Sequence, residues 1–256
     1  RRVLFRSMTD VLQRCGDGLR LGDVDGDRGR AWPDVRRDLL YAGTERGLYV
    51  SWNGGKDWSP FQLNLPKAPI TDLRVHQGNL IAATSGRAFW ILDDLSLVRQ
   101  YQKDRPALTI YQPGNAYLVN SASELDEPEA DFTGATTDHG VNPASGIVLY
   151  YQLPELQKTE DITLVVADAA GNTIRTFSSK APTDSKKWDG GPRPEPVLPK
   201  AKGLNRFVWN LRYPTIPGVP DVYFEASYRG HKAMPGKYTF TLKLGDQALA
   251  TTAEIL

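Results

Sequence analysis

The feature that most constrains this 256-residue chain is a short internal repeat. Leu40-Tyr41-Ala42-Gly43-Thr44 matches Leu80-Ile81-Ala82-Ala83-Thr84 at a spacing of 40, and Gly47-Leu48-Tyr49-Val50 matches Ala88-Phe89-Trp90-Ile91 at 41. Each copy is a pair of short apolar runs joined by a tight turn, which is the pattern of a β-hairpin. LLYAGT (39–44) and GLYVS (47–51) form the first pair. ITDLRVH (70–76), NLIAATS (79–85) and AFWIL (88–92) are three more strands with tight turns between them. A period of about 40–45 residues with about four strands per unit is propeller-like, and two copies are too few to close a ring of at least about four blades. The segment is therefore expected to be the end of something longer or a two-unit remnant.

Beyond the repeat the pattern changes. Ser96 to Pro106 is polar and charged, and the domain boundary is placed there. IVLYYQL (147–153), ITLVVAD (162–168), TIRTF (173–177) and GLNRFVWNL (203–211) are β-rich, with an Asp168-Ala-Ala-Gly-Asn172 turn before the third. Lys237 to Leu244 alternates: Tyr238, Phe240, Leu242 and Leu244 on one face, Thr239, Thr241 and Lys243 on the other. That is a half-buried antiparallel strand. About seven short strands over roughly 150 residues predict an immunoglobulin-like β-sandwich. Residues 179–202 and 213–236 interrupt it as long loops rich in Pro, and loops of this length are functional or mobile.

Composition excludes several classes. Lys+Arg total 31 against 30 Asp+Glu, so no basic face for nucleic acid is expected. The 23 Gly and 18 Pro suit strands and turns. No apolar run approaches the roughly 18 residues of a membrane span. Cys15 is the single cysteine and makes no internal disulfide. Residues 1–37 are set aside: Arg1 to Ser7 resembles a translated sequencing adapter, and the rest shows no sustained period.

Ser51-Trp52-Asn53-Gly54-Gly55-Lys56-Asp57-Trp58 fits the Asp-box pattern S-x-D-x-G-x-x-W, with Asn53 in the Asp position. Together with TSGRAFWILDD (84–94), GLNRFVWNLRYP (203–214) and MPGKYTFTL (234–242), it resembles the bacterial sortilin-like, BNR-repeat proteins often labelled glycosyl hydrolases. The resemblance covers roughly residues 38–250. It implies an all-β chain: terminal blades of an Asp-box β-propeller over 38–98, then an immunoglobulin-like β-sandwich over 103–256. It also implies a C-terminal fragment of an extracellular or periplasmic protein, whose remaining blades lie upstream. A weaker box, Asp25 to Trp32, precedes the good one by only 26 residues, which points to a deletion or frame error near residue 33.

The box residues Ser51, Asn53, Gly55 and Trp58 are read as structural. The Asn side chain accepts from turn N–H groups, the glycines take φ > 0, and Trp58 is expected to fold back and bury a large surface. Arg87, Asp93 and Asp94 are candidate channel or ligand residues: Arg87, ahead of Phe89 and Trp90 that are expected to be buried, either points into a channel toward an anion or pairs with Asp93 or Asp94. Asp93 and Asp94 are not a catalytic pair, because strand neighbours point to opposite faces, whereas two glycosidase carboxylates face each other across about 5–9.5 Å. Trp188 and Tyr228, in the long loops, either form a glycan platform or cover the end of the sandwich. Asp23 to Asp27 fails as a calcium loop, since Arg28 and Asp34 stand where Gly and Glu are needed. His76, His139 and His231 lack ligand spacing, so neither metal nor cofactor is expected. The expected function is non-catalytic: binding of a protein, peptide or glycan, or structural support. The alternative is a piece of a sialidase-like hydrolase whose catalytic residues lie on missing blades. The two blades alone are expected to be unstable, and residues 103–256 to fold alone.

Overall fold

The computed structural model describes residues 20–21, 36–102, 104–118, 144–181, 191–192, 194–219, 222 and 228–256. Cys15, the weak box at 25–32, the Asp23–Asp27 run, His139 and Trp188 lie outside the described residues. The chain is all-β, in small antiparallel sheets with one short helix among those residues. It divides into two compact units, with a change of unit between Lys103 and Asp104.

The first unit holds two meanders. One runs β1 (Arg20–Leu21), β2 (Leu40–Thr44), β3 (Gly47–Ser51) and β4 (Ser59–Pro60), each strand paired with the next. The other runs β5 (Ile70–His76), β6 (Asn79–Thr84) and β7 (Phe89–Leu92), followed by the five-residue helix α1 (Ser96–Gln100). The β5–β6 turn is Gln77-Gly78 with φ of 48° and 80°, the two-residue geometry that matches strand twist. The repeat is therefore structural: β2 corresponds to β6 and β3 to β7.

Register explains how the two sheets stack. Tyr41 lies opposite Val50 and Gly43 opposite Leu48, so these four share one face. A Cβ on Gly43 would sit 2.5 Å from Ile70 Cγ2 and 3.2 Å from Leu73 Cδ1, so this face meets β5 at close quarters. From the second sheet, Leu73 pairs with Ala82 and Ala82 with Trp90, while Val75 pairs with Leu80 and Leu80 with Leu92. The two faces form one core, with Leu39 and Leu95 buried in it and Val98 of α1 packed against it.

The second unit holds two further sheets. One has the order β11 (Thr173–Ser178), β10 (Ile162–Ala167), β13 (Gly236–Leu244), β14 (Gln247–Ile255). The other has the order β12 (Gly203–Trp209), β9 (Ile147–Leu153), β8 (Thr109–Ile110). Alternate residues of both sheets enter one core: Ile147, Leu149, Tyr151 and Leu153 from β9, Ile162, Leu164 and Val166 from β10, and Tyr238, Phe240 and Leu242 from β13. Leu244 packs at its margin, as its place in the alternation requires. Trp209 is fully buried, with ring centroids 5.1 Å from Tyr238 and 5.7 Å from Phe240, and its Nε1 donates to the Arg212 carbonyl at 3.0 Å. An aromatic of this size with its one donor satisfied contributes several kcal/mol, about 3–5 if cut to Ala.

Candidate functional site

The box occupies the turn from β3 to β4. Ser51, at the end of β3, is buried; its Oγ accepts from Gly55 N at 2.9 Å and donates to Asn53 Oδ1 at 3.0 Å. Asn53 Oδ1 accepts from Asp57 N at 2.9 Å, and Asn53 Nδ2 donates to Asp57 Oδ2 at 2.7 Å. Gly54 and Gly55 have φ of 71° and 86°, a run that residues with a Cβ resist. The expected acceptor role of Asn53 and the left-handed glycines are both present. The side chains of Ser51, Asn53 and Asp57 bond within their own turn.

Trp58 behaves differently from the expectation. It is half-buried and lies outside the core, its Nε1 donating to Gly55 O at 3.1 Å. The tryptophan that ties the box down is Trp52. Its Nε1 donates to Val98 O at 3.0 Å, its ring lies 4.6 Å from Tyr101, and it packs on the core. Arg36 completes this contact. Its guanidinium donates to the carbonyls of Trp52 (3.1 Å), Arg99 (3.3 Å) and Tyr101, and pairs with Asp38 at 3.0 Å. The hydrogen bond from Arg36 holds the Asp38 carboxyl below its ordinary value. Sequence reasoning missed this clasp because its members lie up to 65 residues apart and no local pattern marks them.

At the matching place in the second meander there is no box. Phe89 and Trp90 were expected to be buried; Phe89 is 76% exposed and Trp90 is half-buried. Arg87 is exposed and makes no ion pair with Asp93 or Asp94; its carbonyl accepts from Trp90 Nε1 at 2.8 Å. Asp93 and Asp94 are not strand neighbours, since β7 ends at Leu92. Asp94 turns the chain with φ 53° just before α1, and its Oδ1 accepts a hydrogen bond from Ser96 N at 3.0 Å. Desolvation, and then the charge of Asp94, hold the Asp93 carboxyl above its ordinary value. One carboxylate is thus committed to a turn.

In the second unit Tyr228 is half-buried and its carbonyl accepts from Ile216 N at 2.8 Å. Nearby in sequence, Tyr213 stacks on His231 with centroids 3.9 Å apart. His76 ends β5 and is exposed. Among the described residues no group of three or more His, Cys, Asp or Glu is arranged to hold a metal ion. A second clasp went unforeseen: Arg175, buried on β11, lies over the Phe177 ring at 4.7 Å, donates to Asn210 Oδ1 at 3.3 Å and to Arg212 O at 3.2 Å, and pairs with Glu195. Burial pulls the Glu195 carboxyl up, but hydrogen bonds from Arg175 and Thr215 outweigh it and leave it below its ordinary value.

Comparison of the chain with protein-family models, with curated proteins and with solved structures gave no match. No helix among the described residues is long and apolar enough to cross a membrane.

Proposed function

We propose that this chain is a non-catalytic binding or structural piece of a sortilin-like, Asp-box propeller protein. In this reading the first unit is the closing blades, and the second is an immunoglobulin-like sandwich that presents a surface to a protein, peptide or glycan outside the cytoplasm. The observation that carries it is the use to which the box puts its polar groups: Ser51, Asn53 and Asp57 bond to one another and to their own turn, as a staple does and a catalytic centre does not. The meander topology of both copies, with the box on the β3–β4 turn, supports the blade assignment. The second unit supports the sandwich assignment through two sheets that share one core.

The test is a pair of screens on the full chain: a panel of fluorogenic glycosides, sialosides included, and arrays of glycans and peptides. Retention on an array with no turnover above buffer supports the proposal. Turnover above buffer would overturn the non-catalytic reading, and its loss in Asp93→Asn or Asp94→Asn would place a catalytic site on this chain itself.

A further inference from the structure

The second meander leaves one face open to solvent. Arg74 lies opposite Ile81 and Ile81 opposite Ile91, so these three form one row across β5, β6 and β7. Asp72, Ala83 and Phe89 form the neighbouring row on the same face. Phe89 and Ile91 are 76% and 57% exposed; their counterparts in the first meander, Leu48 and Val50, are 5% and 0% exposed because a sheet covers them. Asp72 and Arg74 are exposed, and neither enters an ion pair among the described residues.

We propose that a second copy of this chain docks on this face, related by a two-fold axis that lies between the sheets and runs across the strands. Such an axis reverses position along each strand while keeping β5 over β5. The Asp72 row then faces the Arg74 row of the other copy. Two Asp72–Arg74 ion pairs form on one flank, and Phe89 and Ala83 meet Ile91 and Ile81 on the other. The surface is isologous: one patch complements itself. It extends the contact by which the first meander already packs, a sheet face of alternate apolar residues closed by another sheet. The patch is roughly 15 Å across three strands and 20 Å along them, well under the ~800 Å² per partner of a stable interface, so the dimer is weak and concentration-dependent. The dimer rests on the register of these strands in this chain; in the propeller reading a further blade of the longer protein would take the same face.

Sedimentation of the full chain from about 1 to 500 µM tests it. The expected result is a reversible dimer at the upper end. Ile91→Asp weakens it at least roughly tenfold while the thermal midpoint holds. Asp72→Arg or Arg74→Asp alone makes the face repel itself and weakens the dimer. An equal mixture of those two single variants restores it, because each row then meets its opposite charge. A chain that stays monomeric throughout overturns the proposal and leaves the face to a sheet supplied in cis. A dimer indifferent to Ile91→Asp and to the charge swaps overturns it in favour of another surface.

Discussion

Leu48 on β3 and Phe89 on β7 hold the same place in two copies of one pattern, yet the first is buried and the second faces solvent. Each strand pairs with the one before it in the same register, Leu48 opposite Gly43 and Phe89 opposite Ala83. They differ in the turn that leaves them and in the layer stacked on them. After β3, the Ser51–Trp58 box turns the chain back to add β4, and the neighbouring sheet covers the Tyr41, Gly43, Leu48 and Val50 face. After β7 there is no Gly-Gly pair; Asp94 turns the chain into α1, whose carbonyls are then gripped by Trp52 and Arg36 of the first copy. A hairpin pattern thus determines a strand's partners in its own sheet, while its burial depends on the layer above it.

Paired substitutions test that contrast. The largest effect is expected from Val50→Asp against Ile91→Asp. A charge at the first site is buried without a partner and costs about 4 kcal/mol or more, whereas the second changes stability by no more than about 0.5 kcal/mol. Urea unfolding of the full chain reads both, and equal losses would mean that β7 is covered. Gly43→Val drives its side chain into Ile70 and costs about 3 kcal/mol, while Ala83→Val on the open face is close to neutral. Trp52→Ala loses the Val98 hydrogen bond and the Tyr101 contact, for about 3 kcal/mol; Trp58→Ala, outside the core, costs about 1. A larger loss at Trp58 would restore it as the anchor.

The smallest effect is electrostatic. The Asp93 carboxyl is raised in the folded state, so its ionised form is penalised there and not in the unfolded chain. That penalty is absent below the unfolded value, appears as pH rises through the folded value, and is full at neutral pH. Asp93→Asn should therefore stabilise the fold slightly at pH 7, by no more than about 0.5 kcal/mol given the residue's exposure, and leave its stability unchanged near pH 3. A gain at pH 3 that vanishes at pH 7 would reverse the sign.

Much of this architecture was legible because hairpin chemistry is local. Strand β5 matches its predicted bounds, and the Asp168 turn closes with Asp168 Oδ1 accepting from Ala170 N and Asn172 N, as the Asp-Ala-Ala-Gly-Asn pattern indicates. Strand β14 was not legible: Gln247 to Ile255 is rich in Ala and Thr, with a weak apolar period, and is identified by its full-length pairing with β13. The segment after Leu95 read as a polar linker and contains α1, which is too short to show a period of 3.6. The clasps at Arg36 and Arg175 were out of reach for a different reason. Each arginine collects carbonyls from chain segments that only tertiary packing brings together, and a single arginine in a sequence carries no sign of that.

Cysteine accessibility at Leu48 and Phe89 tests the central contrast most directly. In a Cys15→Ser background at low micromolar concentration, Phe89→Cys should react with a thiol reagent within about tenfold of the unfolded rate, and Leu48→Cys should be slowed by at least about a hundredfold, since it reacts only when the sheets part. Equal protection at the two positions would contradict the account, because it would mean that a layer closes over β7 as one closes over β3.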